Sequence, residues 1–199
     1  MKLHTKEQAP KEGERKADPN ASMRAWTPTK EGYLRFLVES KAVYDTLEGI
    51  MAEAAHPAYA RFQDTGLERA AALERDLAWF AGQGLEVPAS SGVGKEYAAE
   101  LGRLAEEDPP AFMCHFYNQY FAHTAGGKMI GKKMSDLLLD GKELEFYKWD
   151  GDLQEMMAAV KASINAVAED WDEAQKQHCL EETEKSFKLS GSILQEIAK

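Results

Sequence analysis

Apolar positions recur at three- and four-residue spacing along most of the chain, the period of helices with one buried face. Tyr33, Phe36, Leu37, Val43, Tyr44, Leu47, Ile50 and Met51 trace such a face and predict a helix over about 30–55. His56-Pro57 ends it, because the residue before proline is pushed out of the helical region. Leu67, Ala70, Leu73, Leu77 and Phe80 predict a second helix from Thr65 to Phe80, with Gly82 as its stop. Gly84, Pro88, Gly92 and Gly94 mark a loop, after which Tyr97, Leu101 and Leu104 predict a short helix. Asp108-Pro109 is a strong start signal, since Asp caps well and proline is pre-organised for the first helical position. The pattern then stays helical to about Leu139. A last helical region runs from Asp152 to Ile197, broken near Trp171–Glu173. Only Lys142–Trp149 hints at extended chain, and one short strand makes no sheet. Residues 10–29 are aperiodic and rich in Pro, Lys and Glu, and read as a loop. With no internal repeat, residues 1–199 read as one all-α domain.

Composition narrows the function. Hydrophobic residues are 44% and charged residues 29% of the 199, which suits a packed core. The net charge of -10 argues against a nucleic-acid partner, because phosphate contacts dominate that affinity. No apolar run reaches the roughly 18 residues of a membrane span. Cys114 and Cys179 are too few for a disulfide framework or a cysteine-only zinc site, and point to a reducing compartment. The first residues have neither the apolar segment of a signal peptide nor the acid-poor character of a transit peptide. Charge is uneven: residues 1–30 hold seven bases and four acids, which leaves -13 for the remainder. Lys128, Lys132 and Lys133 form a second basic island, with no acid between His123 and Lys133. Local islands on an acidic chain suit a small acidic partner.

The helical pattern after Asp108 carries the candidate chemistry. Gly126, Gly127 and Gly131 lie inside it, each costing about 1 kcal/mol against alanine. Three such positions within six residues point to bare backbone, for close helix packing or for close approach of a large flat ligand. Tyr117, Tyr120, His123 and Gly127 follow three- and four-residue spacing, which predicts one shared face. Two phenols, an imidazole and bare backbone suit a pocket with a few polar handles better than a core stripe.

The segments Leu3–Gln8, Glu31–Val38, Gly66–Arg69, Cys114–Tyr117, Phe121–Gly127, Glu143–Asp150 and Cys179–Phe187, in this order and spacing, resemble the haem oxygenases of plant and algal plastids. The resemblance runs nearly end to end. It implies a single-domain helical fold with haem b, both substrate and cofactor, held between an N-terminal proximal helix and a kinked distal helix. It implies oxidative cleavage to biliverdin IXα, CO and ferrous iron with O₂ and electrons from reduced ferredoxin.

The same resemblance assigns residues. His4 matches the iron ligand, and a neutral imidazole pushes O–O cleavage less than a thiolate does. Gln8, one turn on, can accept the other imidazole N–H. Gly126, Gly127 and Gly131 match the backbone that approaches the haem and steers O₂. Tyr117 matches a propionate contact, Lys161 is a second candidate for that role, and Phe187 matches an aromatic beside the haem, with ordinary core as its other reading. His123 stands where many relatives place an aspartate that anchors distal water, and imidazole titrates near neutrality. The resemblance further implies a plastid stromal protein, a monomer, docking of acidic ferredoxin on Lys128, Lys132 and Lys133, and a bilin reductase downstream.

Competing readings are weaker. Glu53 and His56 have di-iron spacing, but no second Glu-x-x-His occurs. His115 reads as structural and His178 as surface, and Cys114 lacks a convincing base. The alternative to an enzyme is a non-catalytic haem- or tetrapyrrole-binding regulator, from which the presence of His4 separates this chain. A purely structural bundle leaves the glycine cluster unexplained.

Overall fold

The computed structural model describes residues 27–199. His4, Gln8 and most of the loop expected over 10–29 lie outside the described residues. Thr29 opens helix α1 (Lys30–Glu53), its hydroxyl accepting the Gly32 N–H at 2.9 Å. There follow α2 (Ala70–Gly82), α3 (Val93–Glu107), α4 (Pro109–Ala122), a π turn (His123–Gly127), α5 (Lys128–Leu138), α6 (Leu153–Ala168) and α7 (Glu173–Leu194). Short 3₁₀ turns sit at Tyr59–Phe62, Glu145–Tyr147 and Gln195–Ala198. No strand occurs among the described residues.

Helix α4 is the centre. Phe112, Met113, His115, Phe116 and Tyr117 are all buried, so the helix is covered on every side, as a core helix should be. It packs against α7 and α3. Asp108 caps it, accepting the Ala111 N–H at 3.3 Å, with Pro109 in the first turn. Burying a side chain such as Phe112 or Phe116 contributes about 1.5–3 kcal/mol. Helix α1 supplies the opposite wall with Tyr33, Leu37, Val43 and Leu47, and packs on α2, α3 and the C-terminal turn.

Three boundaries differ from the sequence expectation. α1 ends at Glu53, before Pro57, where Ala54 takes a left-handed φ of 48°. The second helix begins at Ala70, not Thr65. Side chains hold 65–69 as a loop: Glu68 accepts the Thr65 N–H at 2.7 Å, and Glu48 accepts the N–H groups of Arg69 and Ala70 at 2.5 and 3.0 Å. Lys142–Trp149 forms a 3₁₀ turn at Glu145–Tyr147 with extended flanks.

A buried carboxylate joins α1 to α3. Glu39 is fully buried and accepts the Gly94 N–H at 2.6 Å, the Ser90 hydroxyl at 3.0 Å and the Ser91 N–H. Burial pushes its pKa up, but these donors outweigh burial and the carboxyl stays below its usual range. Close approach leaves no room at Gly94, where a Cβ would overlap the Glu39 carbonyl oxygen. Gly94→Ala should therefore lose about 1–3 kcal/mol. Gly49→Ala, on the same bundle with nothing within 4 Å, should gain up to about 1 kcal/mol. Urea denaturation of the pair checks this, and equal shifts would remove the steric account.

Candidate functional site

The helical run after Asp108 does not continue evenly. At His123–Gly127 the ladder widens to a π turn, and the Lys128 N–H reaches back to the His123 carbonyl. Such turns insert a residue and re-aim the side chains beyond it, often at functional sites. His123 closes α4 with its ring buried, Nε2 standing 2.8 Å from the Phe146 carbonyl oxygen. A carbonyl only accepts, so Nε2 carries the hydrogen and Nδ1 keeps the lone pair in the neutral ring. The ring stacks on Phe146 at 4.0 Å and lies beside Trp149 and Tyr44, 5.3 and 5.9 Å away. Burial drives its pKa down to about 3, against the bond to Phe146, with the Arg69 charge lowering it further. The titration near neutrality expected of this imidazole is thereby corrected: desolvation keeps it neutral.

The turn that receives His123 is itself clamped. Asp76 of α2, buried, accepts the N–H groups of Glu145 and Phe146, each at 2.8 Å. Arg69 donates to the Lys148 carbonyl and lies 4.7 Å over the Trp149 ring. Two buried side chains far apart in sequence from this turn thus fix the carbonyl that orients the imidazole.

His123 borders a cleft of ≈ 270 Å³ between α1, the π turn and α7. α1 contributes Phe36, Ser40 and Tyr44; the α4–α5 run contributes Gln119, Ala122, Gly126, Gly127 and Ile130 beside His123. α7 contributes Phe187, Ser190, Gly191 and Leu194. The lining is mainly apolar with a few polar groups, the usual make-up of an organic-ligand site.

The three glycines divide between the two needs expected of them. A Cβ at Gly126 meets nothing within 4 Å, so its backbone lies bare at the cleft. At Gly127 a Cβ would come 2.6 Å from His123 Nδ1, so glycine there leaves room for the imidazole. At Gly131 it would come 2.7 Å from the Tyr147 ring, so that glycine serves packing away from the cleft. Phe187 is 50% exposed at the cleft edge, so it is not ordinary core.

The single face expected for Tyr117, Tyr120, His123 and Gly127 does not form. Each three-residue step falls about 60° short of a full helical turn, so Tyr117 and His123 end about 120° apart. Tyr120 points its hydroxyl at Glu48, 3.3 Å away, in a separate cleft of ≈ 290 Å³. Tyr117 stacks on Phe121 at 4.1 Å, and Lys161 Nζ lies 5.4 Å from the same Phe121 ring. Burial pushes the Tyr117 phenol up to about 12. Gln119, Ala122, Ile130, Ser190 and Gly191 were not singled out from sequence, although 119, 126 and 130 share a helical phase, as do 187, 191 and 194.

Other candidates resolve simply. Lys128 lies 5.7 Å over Trp149, and Lys132 pairs with Asp136 at 2.6 Å, so the basic island is partly tied down. His115 is fully buried, and His178 pairs with Asp108 at 2.6 Å on the surface. Cys114 and Cys179 are buried against each other; the Cys179 thiol lowers the Cys114 pKa, and the pairing raises that of Cys179. No cluster of His, Cys, Asp or Glu able to hold a metal occurs among the described residues. No described helix is long and apolar enough to cross a membrane.

Residues 15–196 match the heme oxygenase family model. The chain is similar to the chloroplastic heme oxygenase 1 of Arabidopsis thaliana, 58% identical over 196 residues, covering 98% of this chain and 69% of that one. It is 55% identical over 198 residues to the chloroplastic heme oxygenase 1 of Oryza sativa, covering 99% and 68%. In fold it resembles the crystal structure of heme oxygenase-1 from the cyanobacterium Synechocystis in complex with heme, with a TM-score of 0.71 and 22% identity over 83% of this chain and 76% of that one.

The buried neutral imidazole has a consequence for acid stability. With a pKa near 3 in the fold and 6.5 as the ordinary value, the unfolded chain binds the extra proton between the two. His123 therefore contributes fully above about pH 6.5, and its contribution falls by about 1.4 kcal/mol per pH unit on acidification through that window. His123→Gln keeps an N–H for Phe146 but cannot titrate. Its deficit relative to wild type should shrink at that rate below pH 6, as read by urea unfolding at stepped pH. A deficit constant from pH 7 to 4.5 would show a ring that titrates normally in the fold.

Proposed function

This chain belongs to the haem oxygenase family, and we propose that its cleft beside the π turn opens the haem ring to biliverdin, CO and ferrous iron, using O₂ and electrons from reduced ferredoxin. The observation that carries the reading is the bare, apolar cleft with one fixed imidazole acceptor at its wall. A flat tetrapyrrole needs aromatic and aliphatic walls, and Phe36, Phe146, Phe187, Ile130 and Leu194 supply them. Bound haem iron supplies the oxygen chemistry. The residues of this chain hold and shield that chemistry. Gly126 lets the ring approach the helix backbone. His123 Nδ1, directed toward Gly127, accepts a hydrogen bond from distal water and holds it without becoming charged. Tyr117 and Lys161, both against the Phe121 ring and outside the cleft lining, are assigned from the family resemblance to the acidic haem edge, and Gln8 is assigned to hold the His4 ring. The plastid is the compartment of the plant relatives; within it we assign the stroma, with a bilin reductase consuming the product. Addition of haemin, then ferredoxin, its reductase and NADPH, should give a Soret band followed by biliverdin absorbance.

His4 is assigned as the iron ligand. His4→Ala should abolish biliverdin formation, shift the ferric Soret band and leave the melting temperature near that of wild type. Free imidazole should restore part of the activity. Near-normal turnover with an unchanged spectrum would place the ligand elsewhere, and haem binding without turnover by the wild type would favour a regulator.

Lys128, Lys132 and Lys133 are assigned to the ferredoxin footprint. Reversing all three to glutamate should raise the KM for ferredoxin several-fold at low salt. The effect should fade toward physiological ionic strength, where exposed charges are screened over about 8 Å. Identical ferredoxin kinetics across a salt series would remove them from the interface.

A further inference from the structure

Haem cleavage reduces oxygen to water and so consumes protons inside the cleft. His123 is poorly placed to supply them, because its only N–H is committed to the Phe146 carbonyl. Another series of polar groups leads to the same cleft. His115, fully buried in α4, meets Glu182 of α7 with Nε2 at 3.0 Å and the Tyr97 hydroxyl of α3 with Nδ1 at 2.9 Å. The Ser190 and Ser186 hydroxyls of α7 lie on the far side of the Tyr97 phenol, with no direct hydrogen bond to it at rest. Ser190 lines the cleft, its hydroxyl 2.9 Å from the Gln119 side-chain oxygen.

Glu182, Ser186 and Ser190 are spaced by four on one face of α7, so the series spans about 12 Å along that helix. Its outer end is partly exposed: the Glu182 side chain has 16% of its surface free, with Lys185 Nζ at 3.7 Å. Its middle holds an unusual group. The Ser186 hydroxyl is fully buried beside the Tyr97 phenol and makes no hydrogen bond of normal length among the described residues. Buried hydroxyls are normally paired, and an exception asks for a reason beyond packing.

We propose that Glu182, His115, Tyr97 and Ser190 carry protons from the protein surface into the cleft, Tyr97 closing on Ser190 in the loaded state, with the buried Ser186 hydroxyl beside that step. The proposal rests on the haem oxygenase reading. In the loaded state protonated Glu182 donates to His115 Nε2, Nδ1–H to Tyr97, the Tyr97 hydroxyl to Ser190, and the Ser190 hydroxyl to water in the cleft. Each hydrogen shifts one place inward. One proton leaves Ser190, one has entered at Glu182, and every intermediate group is again neutral. The path then rests with Nε2–H on the Glu182 carboxylate and the Tyr97 hydroxyl on Nδ1. Gln119 holds the resting Ser190 hydroxyl but carries no proton, because its amide oxygen only accepts.

The test uses Glu182→Gln, which keeps a hydrogen bond to His115 near the surface, and Tyr97→Phe, which keeps the ring. Both should lower kcat about tenfold or more, with KM for ferredoxin, haem affinity and melting temperature near wild type. Both should show a larger solvent isotope effect than wild type, and formate should rescue them by bringing a small acid to the cleft. A haem-free readout accompanies this. Solvent exchange of the Tyr97 hydroxyl proton, followed by NMR, should slow about tenfold in Glu182→Gln. Wild-type kcat in both variants, together with wild-type exchange of the Tyr97 hydroxyl proton in Glu182→Gln, would overturn the path. So would a kcat loss that tracks haem affinity or melting temperature and ignores formate. A wild type that forms no biliverdin would instead remove the reaction, and the exchange experiment in haem-free protein would still judge the path.

Discussion

The bond from His123 to the Phe146 carbonyl is the constraint on which the site depends. It joins the widened turn of the distal helix to a 3₁₀ turn more than twenty residues later, and it decides which imidazole nitrogen carries the hydrogen. The carbonyl is no freer than the ring it receives. Asp76 holds the N–H groups on one side of that turn and Arg69 holds a carbonyl on the other. A shift in any of these groups moves the imidazole. The site is therefore set by helices α2 and α4 together, although of these two only α4 lines the cleft.

Burial gives this arrangement its character. In water an imidazole changes charge near neutrality, but enclosed by Phe146, Trp149 and Tyr44 it stays neutral because a charge there would lose its solvation. Its remaining polar atom is a fixed acceptor. A fixed acceptor suits ordered water and oxygen bound nearby, whereas proton supply must come from groups able both to take and to give. The polar groups that do so here are kept off the cleft wall, on α3, α4 and α7, with only Ser190 at the inner end.

The glycines show how one local signal can serve separate demands. Gly126 exposes backbone, Gly127 makes room for the imidazole, and Gly131 seats the Tyr147 ring. Tyr147 in turn meets the Tyr33 hydroxyl at 3.0 Å, which ties the distal run back to α1. Packing and bare backbone at the cleft are thus combined within six residues.

The sequence by itself determined the helical class, the main helix faces and the start of the central helix, because helical period and the Asp108-Pro109 cap are local signals. It also determined, through its ordered motifs, the family and the identity of His123 and the glycine cluster. The π turn was not legible, since the residues on either side of it remain helical in period. Nor were the start of α2 at Ala70 and the turn at Glu145–Tyr147, because Glu48 and Asp76 reach them across the fold. That Tyr117 and Tyr120 leave the face of His123 follows from the roughly 60° lag per three-residue step, but tertiary structure alone decided which of these faces met the cleft. It alone lowered the pKa of His123 and brought Glu182, His115, Tyr97 and Ser190 into one series. Burial and long-range hydrogen bonding are set by which helices meet, and no spacing within a single helix contains that information.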